Sequence, residues 1–330
     1  MLKATIRILL LALPLYLGVT QAFAQSSTPV TASTAQKLIA NPVGLDATQI
    51  ESLLHKRMYE MQPQEVSQYL RFLQSAEPDL RKRIADLARK NIGQPYLLFP
   101  MGEFPYELHD PQPMFSLAKS DCVTFAEHIY AMALSASWDE FFWTLQRIRY
   151  HEGVIGVVTR NHYTEADWNP HNAWLLQDIS RELGGARVET YTMIVDRAQL
   201  LRTRYQLTRD IPVQTVTVPY VAKDRLAEIE SQLQAGDMIN VVSGKGGETL
   251  VTHVGLVVLG PNDRRQMIHS SEPIVREETL AAFSQRAAER EARSVAQGKV
   301  PLRLLGFKFL RLVENPVVPP AKPPQPPPRR

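Results

Sequence analysis

Cysteine is nearly absent from this chain: Cys122 is the single one in 330 residues. One thiol cannot pair within the chain, so no disulfide framework holds the fold. An excess of one charge is lacking too, with 37 Lys and Arg against 34 Asp and Glu for a formal net charge of +3. Lys3 and Arg7 fall within the first 24 residues, which hold no acidic group, so the remainder carries only +1. The charges are interspersed without a basic stripe, which gives no reason to infer nucleic acid as a partner. After the first apolar run no stretch approaches the roughly 20 apolar residues that a spanning helix needs. No internal repeat is visible. No HExxH pattern is present, and Gly244 to Gly247 is not followed by the Lys-Ser or Lys-Thr of a phosphate loop. His162, His171 and Asp167 lack a tight ligand spacing for zinc, and no metal or organic cofactor is implied.

What is present begins with Lys3 and Arg7, an apolar run from Ile8 to Val19, and Ala22-Phe23-Ala24 ahead of Gln25. That order is the one of a secretory signal peptide over residues 1–24, and it implies a soluble product exported to the periplasm with no transmembrane anchor after cleavage. Residues 25–45, rich in Ser, Thr, Ala and Gln, read as a flexible lead-in. Eight prolines among the fifteen residues 316–330 cannot pack a core, so this end reads as a disordered tail and a candidate contact for another envelope component.

Between these ends, residues 46–315 read as one domain. Asp46 or Thr48 can cap a first helix, Pro63 can open a second, and Pro78 a third. Residues 94–119 form an aperiodic, ordered loop. From Asp121 the apolar positions Cys122, Phe125, Ala126, Ile129, Met132, Ala133 and Ala136 trace one helix face. A helix over 138–150 opens an insertion spanning about 138–210, with a strand predicted over Val154 to Thr159. Further strands are predicted at Gln214 to Tyr220, Met238 to Val242, Val254 to Leu259 and Gln266 to His269. A helix between Glu277 and Ala296 and a strand near Leu302 to Leu312 follow. Helices first and a mostly antiparallel sheet afterwards define an α+β class.

Cys122 stands in the first turn of the marked helix, where unpaired amides and the helix dipole favour a thiolate and lower its pKa, although a buried, inert cysteine would show the same apolar period. His253 precedes the core run Val254 to Val258, a place that suits a structural histidine or an imidazole held rigidly enough to act as acid and base. His269, 16 residues on, is brought beside it by a short hairpin and can orient its ring, a role that Asn262 or Asp263 at the distal turn could also take. The segment Arg160 to Trp168 gathers a guanidinium, an imidazole, aromatics and carboxylates. Such a loop serves a saccharide or anionic peptide, or packs its aromatics over the core. Its candidate substrate contacts are Arg160, His162, Tyr163 and Trp168. Tyr106, with Glu103 and His109, borders the cleft and offers a hydroxyl to an oxyanion.

Four pieces carry a resemblance to a bacterial family described as N-acetylmuramoyl-L-alanine amidase-like, formerly a family of unknown function numbered 1460. They are Asp121-Cys122-Val123-Thr124-Phe125-Ala126-Glu127, Arg160-Asn161-His162-Tyr163 with Asp167-Trp168, Thr252-His253-Val254-Gly255-Leu256, and Met267-Ile268-His269-Ser270-Ser271. The family belongs to the papain-like NlpC/P60 cysteine hydrolases. The resemblance implies a papain-like fold, with the cysteine helix packed on a sheet that bears the histidines. It also implies Cys122 as nucleophile, His253 as base and acid, His269 as orienting residue, and peptidoglycan or muropeptide fragments as substrate. The bond implied is the one between N-acetylmuramic acid and L-alanine. The more general cut of the superfamily, between D-glutamate and the diamino acid, and a silent wall-binding role stay open. The long stretch before His253 and the spacing between the histidines depart from the superfamily pattern.

Overall fold

A computed structural model describes residues 44–321. The expected signal segment 1–24, nearly all of the lead-in and the tail beyond 321 lie outside the described residues. The helices come first: α1 (Ala47–His55), α2 (Pro63–Ala76), α3 (Leu80–Lys90), α4 (Cys122–Ala133) and α5 (Trp138–Arg149). Asp46 caps α1 through the Gln49 amide, Pro63 opens α2, and Asp79 caps α3. Proline needs no amide partner at the first helical position, and the acidic caps satisfy amides that helix starts leave unpaired. Asp121 and Thr124 cap α4 reciprocally, each side chain taking the other's backbone amide at 2.8 and 2.9 Å.

The sheet is antiparallel throughout its pairings. Its strands are β1 (Leu176–Asp178), β2 (Glu189–Val195), β3 (Gln214–Ala222), β4 (Met238–Lys245), β5 (Glu248–Leu259), β6 (Arg265–Ser271), β7 (Ile274–Thr279) and β8 (Arg303–Leu312). They run in the order β2-β3-β8-β4-β5-β6-β7, with β1 attached to β8. A two-residue turn, Gly246-Gly247, joins β4 to β5 with both φ angles positive, a geometry glycine adopts without steric cost. Alternation along β5 divides the two cores. Val254, Leu256 and Val258 face the layer of α1 to α5, while Val257 faces the opposite layer, built chiefly from α7 (Leu280–Ala296), which follows α6 (Arg197–Tyr205) in the chain. The result is a mixed fold of helices on both faces of an antiparallel sheet.

Three expectations need correction. Val154 to Thr159 is no strand but a tight loop wrapped on the Glu107 carboxylate, which accepts the Val157 amide at 2.9 Å. Glycines at 153 and 156 break the extended run, and Thr159 turns its hydroxyl back onto Val154 and Gly156. The helix expected from Glu277 starts at Leu280, capped by Thr279, because residues 274–279 form β7 against β6. The proline-rich end is packed at its start: Val318, Pro319, Pro320 and Ala321 line a cleft of about 530 Å³ with Trp143 and Arg147 of α5. Extended, proline-fixed backbone can lie along a helix surface at little entropic cost.

Candidate active site

The start of α4 meets β5 at one point. Cys122 packs against the helical core, and its sulfur lies within reach of the backbone amides of Val254, Val123 and its own residue. Those amides favour a thiolate, yet burial and then the Asp121 carboxylate outweigh them and push the thiol up to about 12. The lowered thiol pKa expected at a helix start is therefore reversed: the resting sulfur is protonated. The carboxylate that caps the helix is also the charge that opposes ionisation of the thiol beside it.

His253 precedes Val254, so the residue whose amide reaches the sulfur is the neighbour of the imidazole. Cys122 and His253 share no hydrogen bond. The ring of His253 leans over the other face of β5, stacked on Phe283 of α7 at 5.9 Å between centroids. Its Nε2 lies 2.7 Å from Nδ1 of His269, and Nε2 of His269 lies 2.6 Å from Oε1 of Glu278. Gly255 permits this close packing: a β-carbon there would come within 2.6 Å of Met267 and 3.2 Å of His269. His269 is fully buried, and Arg286 clamps Glu278 from α7.

This relay sets the protons. A carboxylate paired with a guanidinium accepts only, so Nε2 of His269 donates to Glu278. Nδ1 of His269 is then a lone pair that accepts from Nε2–H of His253, which leaves Nδ1 of His253 unprotonated. That nitrogen has no hydrogen-bond partner among the described residues. Burial first, then His269 and the guanidiniums of Arg290, Arg286 and Arg276, hold His253 well below the usual histidine range. Burial lowers His269 as well, with Glu278 pulling the other way. The thiol and the imidazole are both neutral, and the acceptor nitrogen of His253 is assigned by the chain of hydrogen bonds behind it. Asn262 and Asp263 sit exposed at the far turn of the β5–β6 hairpin, away from this relay.

Glu278 was not singled out in the sequence because it sits in a charged run, Arg276-Glu277-Glu278, that reads as a helix start. Its strand alternation opposite β6 was the available signal. Tyr96 was missed as well. Burial chiefly raises the pKa of its phenol, and the charges of Cys122 and Asp121 add to it, which puts the ring in the field of the thiol. The segment around Tyr96 is clamped between the start of α4 and the β6–β7 turn. The Tyr96 amide donates to Pro273, the Leu97 amide to Ser120, and the Phe99 amide to the Asp121 carboxylate. Leu97, Leu98 and Phe99 are 44, 55 and 51 % exposed, and the Arg204 guanidinium lies over the Phe99 ring, 3.7 Å from its centroid.

The other residues chosen from the sequence are placed differently. Arg160 is a correction: it is buried, and its guanidinium is consumed by Glu103, Asp110 and the Tyr205 hydroxyl. Trp168 is another, fully buried with its indole N–H on Glu127, which also pairs with Arg149. His162 donates toward the Val157 carbonyl at 2.7 Å, and burial pushes its pKa down to about 4. Tyr163 is half-buried with its hydroxyl 3.4 Å from the Asp196 carbonyl. These four pack the loop onto the domain, the second of the two uses the segment admitted. Tyr106 is 59 % exposed on the neighbouring loop, which is tied through Glu103 and Asp110 to Arg160. Of the remaining polar pair, Asp167 binds Arg197 and His171 binds Asn161.

A protein-family model described as N-acetylmuramoyl-L-alanine amidase-like matches residues 86–282, which includes Cys122, both histidines and Glu278. No curated protein matches the chain. Among solved structures, the chain is similar to a Legionella pneumophila protein of the family of unknown function 1460. The TM-score is 0.64 at 18% identity, over 78% of this chain and 96% of that one. It is also similar to an N-acetylmuramoyl-L-alanine amidase from Bacteroides uniformis, with a TM-score of 0.54 at 21% identity over 71% of this chain and 99% of that one. At such identities the likeness is one of fold.

Proposed function

The chain belongs to the N-acetylmuramoyl-L-alanine amidase-like family, and from that membership we propose an exported, periplasmic cysteine amidase. Its substrate is the amide joining N-acetylmuramic acid to L-alanine in peptidoglycan or muropeptides, and its architecture is the papain-like one of NlpC/P60 hydrolases. The observation that carries the reading is the relay from Glu278 through His269 to His253, which ends one residue from the amide touching the Cys122 thiol.

The mechanism follows from the neutral resting pair. As the sulfur attacks the lactyl carbonyl, its proton passes to Nδ1 of His253, so charge separates only while the C–S bond forms. Backbone amides at the start of α4, with the Tyr96 phenol beside them, stabilise the oxyanion. Collapse breaks the C–N bond as protonated His253 gives its proton to the departing amine of L-alanine. Water, deprotonated by His253, then attacks the thioester; the C–S bond breaks, N-acetylmuramic acid leaves with its lactyl carboxylate, and His253 returns the proton to the sulfur. No step calls for a metal or organic cofactor.

The test is mass spectrometry of products from N-acetylmuramyl-tripeptide, with Cys122→Ala in parallel. Free tripeptide that vanishes in the variant is the expected result. Cleavage after D-glutamate would assign the bond to the endopeptidases, and no product from folded protein on fragment or intact wall would overturn the enzymatic reading.

A further inference from the structure

Behind the histidine relay lies a concentration of positive charge that the chemistry above does not use. Phe283, Arg286, Ala287 and Arg290 recur at helical spacing, so both arginines share the α7 face whose Phe283 stacks on His253. Arg276 stands directly across from His269 in the β6–β7 register, on the same face of the sheet. Two residues further along β7, and again on that face, is Glu278, the carboxylate opposing these three guanidiniums.

The cluster is therefore undercompensated. Arg286 spends one nitrogen on Glu278, while its Nε is buried without a hydrogen-bond partner. Arg276 reaches only the carbonyls of Ser271 and Glu272. Arg290, exposed at the rim, makes no hydrogen bond or ion pair among the described residues. The other nearby carboxylates are engaged elsewhere: Glu277 with Arg89, Glu291 with Arg303, and Glu289 with Gln285. Partial burial, and then the Arg286 guanidinium, holds Arg276 and Arg290 below the usual arginine range, against the pull of Glu278. Three guanidiniums share one carboxylate beside His253, and a guanidinium fork is the donor that carboxylate ligands take.

We propose that Arg276, Arg286 and Arg290 form a carboxylate-binding subsite beside His253 that selects acidic peptides on the amide being cut. The inference rests on the amidase reading for its substrate but not for its chemistry, since a wall peptide with free glutamate carboxylates supplies the anion in either case. Arg286 keeps its place on Glu278, and Arg276 and Arg290 supply the donors that face the ligand.

The experiment compares N-acetylmuramyl-L-alanyl-D-glutamate, which has two free carboxylates, with its diamide. The wild-type protein is expected to favour the acid by about tenfold in kcat/KM, mainly through KM. Arg290→Gln should narrow that preference to about twofold, and Arg290→Lys should retain most of it, at an unchanged thermal midpoint. A preference that persists in Arg290→Gln and in the Arg276→Gln, Arg290→Gln pair overturns the subsite. Calorimetric binding of both ligands to Cys122→Ala separates this question from turnover. Tighter binding of the acid, lost when Arg290→Gln is added, supports the subsite even where the wild-type protein hydrolyses neither compound. Equal binding of acid and diamide overturns it even where hydrolysis proceeds.

Discussion

His253 and His269 stand 16 positions apart, and the parity of two adjacent strands puts both rings on one face of the sheet. That pairing was readable, because a histidine ahead of an apolar run and another after a short turn define a hairpin. The Glu278 side chain was not readable, since a glutamate in a run of charges has no periodic signature, and only tertiary packing against Arg286 and His269 gives it a role. Arg160 and Trp168 show the opposite failure. Their chemistry suits sugar recognition, but the partners that bury them, Glu103 and Glu127, lie 57 and 41 residues away in sequence. At this scale the relay makes a prediction. Glu278→Ala should lower kcat by about 10 to 100-fold, the usual cost of losing a group that orients a ligand or base, with Glu278→Gln less damaging because its carbonyl still accepts from His269. Activity requires His269 neutral, and Glu278 raises the His269 pKa. Its removal should therefore move the acid limb of the kcat profile to lower pH even as the plateau falls. A lowered plateau with an unmoved limb would make Glu278 structural only.

Helix α4 was the most legible element, since a capping residue, an apolar period and a cysteine in the first turn coincide. The charge balance at its start was not legible. The dipole argument gave a lowered thiol pKa, whereas packing against β5 removes water and leaves Asp121 as the nearest charge. Strand β7 was lost for a related reason: Glu277 and Glu278 look like a helix start, and only hydrogen bonding to β6 makes them extended. Asp121 separates the two functions of the α4 terminus. Asp121→Asn retains a capping oxygen while removing the charge, so Cys122 should react faster with iodoacetamide at pH 8 with stability nearly unchanged. Asp121→Ala should lose about 0.5–2 kcal/mol from the cap, together with the anchor of the Phe99 amide, read as a lower denaturation midpoint. An unchanged alkylation rate in Asp121→Asn would show that burial alone controls the thiol.

Over the whole molecule, the α+β order of elements was visible in the sequence, but the strand order was not. The last strand, β8, enters the middle of the sheet between β3 and β4. Pairing across such sequence distances leaves no local trace, and β1 and β2 were missed within the segment read as an insertion. That arrangement joins two cores through one sheet, with the thiol on the helical side and the histidine relay on the α7 side. The proposed covalent reaction requires these two sides to cooperate through β5. Rapid acid quenching of the protein with N-acetylmuramyl-tripeptide, followed by intact-mass and peptide analysis, tests it most directly. An N-acetylmuramoyl thioester on Cys122 that accumulates in His253→Gln or early in turnover is the predicted species. Hydrolysis with no adduct on Cys122, and undiminished in Cys122→Ala, would contradict the account.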